Sequence, residues 1–176
     1  ESGSNLGSSE KSSDQSSPRP VWEVRLCDFG SVVRGRTPLR TKEERVEADE
    51  KVRRSTTQMY RAPEMVDLHM AEELTEKTDV WALGCSFYLA AFLQNCFEEN
   101  TNLAILSGRH ASVPPEHPYG DEVLEIVRRC LAVNPAERAD MEEIRECLGA
   151  LRDGWELPVS HRPRTPQIWE GGVAST

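Results

Sequence analysis

A mainly α-helical fold is the class that this 176-residue sequence predicts, and three stretches predict it. Across residues 75–93, apolar side chains (Val80, Trp81, Leu83, Phe87, Leu89, Phe92, Leu93) fall on every side of a helical wheel, the pattern of a helix buried all round. Val123, Leu124, Val127, Cys130 and Leu131 recur at helical spacing with Glu122, Glu125, Arg128 and Arg129 opposite, which predicts an amphipathic helix. Asp140, with Glu143 three residues on, reads as a capping box opening a helix that carries Met141, Ile144, Leu148 and Leu151 and stops at Gly154.

In chain order, residues 1–20 carry eight serines and one large apolar residue, Leu6. That composition cannot offset the entropy of ordering the backbone, so the segment is expected to be disordered. Residues 21–27 read as a strand. A globular body is expected over 21–153, ending with the helix that begins at Asp140. Between the strand and the first predicted helix lies a highly charged stretch: Arg34, Arg36, Arg40, Lys42 and Arg45, then Glu47, Asp49 and Glu50, then Lys51, Arg53 and Arg54. A charge run of this kind reads as a solvated face. Asn134-Pro135 turns the chain between the last two helices. Residues 154–176 contain three prolines in their last twenty positions and little periodicity, so a loosely packed tail is expected, anchored at most by Trp155 and Trp169.

With 38% hydrophobic residues the chain can bury a core, and a net charge of −9 argues against a nucleic-acid partner. Neither a signal peptide nor a run of eighteen apolar residues is found, so no membrane span is expected. The five cysteines (Cys27, Cys85, Cys96, Cys130, Cys147) form no C-x-x-C pair. They read as small core residues in a reducing compartment, and a cytoplasmic location is the expectation. His69, His110, His117 and His161 share no metal-ligand spacing.

The informative residues are three motifs in a fixed order: Asp28-Phe29-Gly30, Ala62-Pro63-Glu64 and Asp79-Val80-Trp81-Ala82-Leu83-Gly84, continued by Arg129-Cys130-Leu131 and Asn134-Pro135-x-x-Arg138. Together they resemble the C-terminal lobe of a protein kinase catalytic domain. Leu26-Cys27-Asp28-Phe29-Gly30-Ser31 with Thr56-Thr57-Gln58-Met59-Tyr60-Arg61 looks like the Numb-associated kinases, the group of the adaptor-associated and cyclin-G-associated kinases. The likeness covers residues 22–151. Ala139 departs from it, since the family more often has proline after the arginine equivalent to Arg138. No glycine-rich loop, no V-A-I-K lysine and no H-R-D-x-x-x-x-N loop occurs in the sequence, and the first residue is not methionine. A fragment lacking the N-lobe and catalytic loop is therefore expected, with residues 1–20 inside an insertion.

The resemblance implies ATP and Mg²⁺, with Asp28 as metal ligand and Cys27, Phe29 and Gly30 beside the nucleotide. Residues 28–64 would be the activation segment, and Thr57 would line the site beside a serine or threonine acceptor in a protein substrate. By family, clathrin-adaptor or trafficking proteins would be that substrate. Asp79 would anchor the catalytic loop or simply cap its helix. Glu64 and Arg138 would form a buried pair. Ser55 and Thr56 are candidate phosphosites, their phosphate pairing with Arg53 or Arg54. Two functional classes follow: a serine/threonine kinase whose isolated fragment is inactive, and a pseudokinase or scaffold that keeps the fold for binding. Without its upstream partner the chain should also expose apolar surface around Val24, Leu26 and the start of the 75–93 helix.

Overall fold

The computed structural model describes residues 23–98, 101–160 and 162, so the 1–20 segment, His161 and Trp169 lie outside the described residues. Two compact units divide at Gly30: Glu1–Gly30 and Ser31–Thr176.

In the first unit, residues 23–27 do not form the expected strand. A strand is held by a ladder to a neighbour. Among the described residues none pairs with this segment, and Val24 and Leu26 are 91% and 86% exposed.

The second unit is helical apart from one antiparallel ribbon, in which β1 (Thr37–Pro38) pairs with β2 (Glu73–Leu74). Its helices are α1 (Lys42–Ser55), α2 (Pro63–Val66), α3 (Lys77–Phe92), α4 (Asn102–Ser107), α5 (Asp121–Cys130) and α6 (Met141–Asp153). α3 is the element expected across 75–93. Its Trp81, Cys85 and Tyr88 join Phe97, Ile105, Val127 and Leu131 in the main cluster, while its Val80 joins Ile126, Cys130, Ile144 and Cys147 in a second. The apolar residues at the start of α3 are therefore buried, against expectation: Val80 lies among residues of α5 and α6, and Trp81 among Val127, Phe97, Ile105 and Leu131. Gly84 permits that closeness: a Cβ there would meet the Cys130 Cβ at 2.5 Å.

Four cysteines are core residues, but Cys27 is exposed. Burial pushes the Cys130 thiol up to about 12, so it stays a neutral packing group. At α6, the Asp140 side chain accepts from the Glu143 N–H at 2.9 Å, as a cap should. The reciprocal half of the capping box is missing, because the Glu143 carboxylate turns to Arg129 (3.2 Å) and Arg162 (3.3 Å). Gly154 closes the helix in the left-handed region, φ +72°. The chain beyond is held more firmly than a loose tail: Leu157 packs on the second cluster, Arg129 donates to the Pro158 carbonyl at 2.8 Å, and Arg162 pairs with Asp140. Trp155 anchors nothing, being 70% exposed. Among the described residues no helix is long and apolar enough to cross a membrane.

Candidate functional site

From Lys42 on, the charged stretch read as a solvated face is the helix α1, with most of its charges exposed. Thr41 accepts from the Glu44 N–H at 3.1 Å while the Glu44 carboxylate accepts from the Thr41 N–H at 2.9 Å, a complete capping box. Glu43 and Glu44 sit at the positive end of the helix and Arg53 and Arg54 at the negative end, both favourable. Ala48 packs with Leu39 and Leu68 in a small third cluster, and Val52 is buried as well, so the outward charges ride on a helix whose inner face is apolar.

At the end of α1 the chain turns into residues 55–62. Thr56 caps the helix twice over, its N–H donating to the Val52 carbonyl at 3.1 Å and its hydroxyl to the same oxygen at 2.6 Å. Arg61 reaches back across the turn. Its Nε donates to the Thr56 hydroxyl at 2.8 Å and its Nη2 to the Thr56 carbonyl at 2.9 Å and the Arg53 carbonyl at 3.4 Å. Burial first, and the Arg53 charge second, pull the Arg61 pKa below the ordinary arginine value. Thr57 begins the short 3-10 turn Gln58–Tyr60 through its carbonyl, leaving its own side chain exposed and unused as a cap. Gln58 donates to Asn102 of α4 at 2.7 Å, tying the turn to a second element.

α2 then starts at Pro63, where a missing N–H costs nothing. Glu64 follows, fully buried, and meets Arg138 in a bidentate pair: Nη1 to Oε1 at 2.7 Å and Nη2 to Oε2 at 2.9 Å. Arg138 is equally buried. Its other donors reach the carbonyls of Ala132 (2.9 Å), Lys77 (2.8 Å) and Val133 (3.2 Å), and its guanidinium lies 5.1 Å from the centroid of the Trp81 ring. A buried pair survives only when its remaining donors are satisfied, and here they are. Lys77 adds a bond to the Arg138 carbonyl at 2.7 Å. Ala139, at the departure from the resemblance, is buried and donates its N–H to the Arg129 carbonyl at 3.0 Å, a bond proline could not make.

The structure brings Glu64 to Arg138 and Thr56 to Arg61, and leaves other candidates apart. Asp79 lies in the first turn of α3 with its side chain exposed; Glu76, not Asp79, holds the N-cap position. Ser55 donates to the Lys51 carbonyl at 2.6 Å, and the Arg53 guanidinium is taken by Asp49 at 2.8 Å. The cation in hydrogen-bonding contact with the Thr56 hydroxyl is Arg61. In the first unit Cys27, Asp28, Phe29 and Gly30 are all exposed. Asp28 holds a left-handed backbone, φ +60°, uncommon for a non-glycine residue, and the Gly30 N–H points to its Oδ1 at 3.4 Å.

Arg61 and α1 were missed from sequence. The signal for α1 was present as Thr41-x-x-Glu44, the spacing of a capping box, and as Asp49 four residues before Arg53.

Comparison with known proteins agrees with the motif order. The family model for the protein kinase domain matches residues 12–147. A probable serine/threonine-protein kinase of Dictyostelium discoideum is 36% identical over 138 residues, covering 78% of this chain and 12% of its own length. A serine/threonine-protein kinase of Schizosaccharomyces pombe is 33% identical over 152 residues (86% of this chain, 15% of its own). Actin-regulating kinase 1 of Saccharomyces cerevisiae is 32% identical over 132 residues (74% and 20%). The chain thus spans a fifth or less of the length of these three relatives.

Proposed function

The chain belongs to the protein kinase domain family, and from that premise we propose that it is the C-lobe portion of a serine/threonine kinase of the Numb-associated type, inactive without the upstream half of the domain. The observation that carries this reading is the 55–62 loop. Its exposed Thr57 stands on a turn fixed from below by the buried Glu64–Arg138 pair and from the side by Arg61 and Gln58. Such a loop presents a rigid edge to an extended peptide, and the Thr57 hydroxyl can accept or donate a hydrogen bond to the acceptor residue. The relatives named as serine/threonine kinases support a serine or threonine acceptor. The Numb-associated resemblance makes a clathrin-adaptor or trafficking protein the substrate class.

ATP and Mg²⁺ fit the residues present in one respect. Asp28 offers a hard carboxylate oxygen, exposed, on a strained backbone with the Gly30 N–H beside it, and Mg²⁺ is usually held by one or two carboxylates together with phosphates and water. The metal ion supplies neutralisation of phosphate charge when bound. Among the described residues no group of three His, Cys, Asp or Glu forms a metal site, so Asp28 is one ligand and the rest must come from elsewhere. Asp79, exposed in the first turn of α3, is free to receive the backbone of an upstream catalytic loop.

Radiolabel transfer from ATP to a threonine peptide tests the proposal. The 176-residue chain should be inactive. A version extended upstream through a catalytic loop and glycine-rich lobe should be active, and Asp28→Asn in that version should abolish transfer. Activity in the short chain, or full activity in the variant, overturns the kinase reading. An inactive extended protein that still folds transfers the assignment to a scaffold.

A further inference from the structure

We propose that residues 155–160 and Arg162 form a strap that acts on the base of the 55–62 loop: while Arg162 occupies Asp140 and Glu143, Lys77 stays on the Arg138 carbonyl, and when the strap lifts the freed carboxylates draw Lys77 away. The inference rests on the kinase reading only for the use of that loop; the coupling itself is geometric. Gly154 ends α6, yet Arg162 pairs with Asp140 and Glu143 at the opposite end of that helix, so the chain between them runs back along it. It is held on the way, with Leu157 on the second cluster and the Pro158 carbonyl accepting from the buried Arg129 at 2.8 Å. At its end Arg162 Nε donates to the Glu143 carboxylate at 3.3 Å and Nη2 to that of Asp140.

Lys77 and Arg138 clasp each other: Lys77 Nζ donates to the Arg138 carbonyl at 2.7 Å and Arg138 Nη1 to the Lys77 carbonyl at 2.8 Å. The same Nη1 donates to Glu64 at 2.7 Å, so the clasp and the buried pair share a nitrogen. An ammonium bonds a carboxylate more strongly than a neutral carbonyl, so Lys77 keeps the weaker acceptor because Arg162 holds the stronger ones. Lys77 feels both sides of this contest. Burial first, and the Arg162 charge second, pull its pKa below the ordinary lysine value, while Asp140 and Glu143 pull it the other way. The Asp140 carboxyl lies below the ordinary carboxylate range, through the Glu143 N–H first and with Arg162 and Lys77 adding to it. Lys77 thus has two arrangements, one with the strap seated and one with it raised, and a two-state element of this kind is what couples separate sites. In the second arrangement Arg138 keeps Glu64 but loses half of the clasp that orients its guanidinium. Whatever draws the chain beyond α6 off the body therefore loosens the loop from below.

The test uses the 176-residue chain and reads the Lys77 titration, the Arg138 carbonyl carbon resonance and amide exchange by NMR. None of these needs phosphoryl transfer, so an inactive kinase leaves the coupling measurable and a failed coupling leaves the kinase reading standing. In Arg162→Met the Lys77 ammonium should titrate at least about half a unit higher than in the parent, having lost a neighbouring cation and gained the carboxylates that cation held. Arg162→Lys should restore the parent value. The Arg138 carbonyl resonance in Arg162→Met should move toward its position in Lys77→Met, where the bond to it is absent. The Met65 and Val66 amides, bonded to the Ala62 carbonyl beside Glu64, should exchange at least about threefold faster in Arg162→Met. In a Lys77→Met background the same substitution should add nothing further. A strap that only packs on α6 would speed exchange in α6 alone. An unchanged Lys77 midpoint, an Arg138 resonance that stays in place, exchange changes confined to α6, or equal effects of Arg162→Met with and without Lys77 each overturn the proposal. Where Arg162→Met does not fold, Arg162→Gln takes its place under the same outcomes.

Discussion

Arg138 spends every part of its guanidinium: two donors on Glu64, others on three carbonyls, and its face on Trp81. Removing it leaves a carboxylate buried with no counter-ion. Arg138→Met should therefore lower unfolding free energy by about 3–5 kcal/mol in urea denaturation, the range for breaking one side of a buried pair. Replacing Arg138 and Glu64 together by apolar residues should cost less than Arg138→Met alone, because the desolvated charge goes too. His110 makes a different kind of statement. Burial holds its pKa below the ordinary 6.5, with its Nδ1 2.6 Å from the Ala111 carbonyl. Well above pH 6.5 the ring is neutral whether the chain is folded or unfolded and contributes no pH dependence. As pH falls through 6.5 the unfolded chain takes up a proton that the folded chain resists, so stability drops until the lower folded pKa is passed, then levels. Melts between pH 7.5 and 5 should show this decline in the parent and a shallower one in His110→Gln.

At the scale of elements, α1 depends on its N-terminus. Ten of its fourteen residues are charged, so the apolar contribution of Ala48 and Val52 is small and the Thr41–Glu44 box carries a large share. Thr41→Ala should cost about 1 kcal/mol, seen as faster amide exchange confined to the first turn of α1. The same composition explains what could be read in advance. α3 declares itself by apolar residues on every side of its wheel, Val80, Trp81 and Tyr88 among the buried ones, α5 by Leu124 and Val127 at helical spacing, and α6 by Ile144 behind the Asp140 cap. α1 hides because Val46, Ala48 and Val52 are too sparse to make a period, and Ala48 on its inner face packs with Leu39, Leu68 and Leu74, which come from distant parts of the sequence. Residues 23–27 erred in the opposite sense. Val24 and Leu26 have the alternation of a strand, but a strand is a property of two segments, and among the described residues no second one pairs with them. The motifs around Glu64 and Arg138 name a pair that no local pattern could join; Arg61 lies within the 56–61 stretch that carries the resemblance, but its bond to Thr56 depends on a turn that had to be seen.

Over the molecule as a whole, apolar surface is left open in each unit. Val24 and Leu26 are nearly fully exposed in the first. In the second, an apolar groove of about 210 Å³ runs between α3, α5 and α6, lined by Phe87, Ala91, Tyr119, Val123, Ile126 and Leu151 among others. Exposed apolar patches drive association. The chain alone should therefore scatter light increasingly with concentration, although its net charge of −9 opposes this at low salt. A chain extended through the rest of the domain should stay monomeric over the same range; if the short chain stays monomeric as well, the open surfaces do not govern its behaviour.

Glu64 and Arg138 stand 74 residues apart in sequence. A ribosome adding about 5–20 residues per second leaves roughly 4–15 s between the two. Through that interval α2 carries a carboxylate with no partner, and burying it would be costly. The Glu64 anchor below the 55–62 loop therefore forms only after Arg138 emerges, whereas the bonds of Thr56 to Val52 and Arg61 are local and need no later residue. Synthesis halted anywhere before Arg138 leaves a polypeptide that contains the whole loop without that anchor.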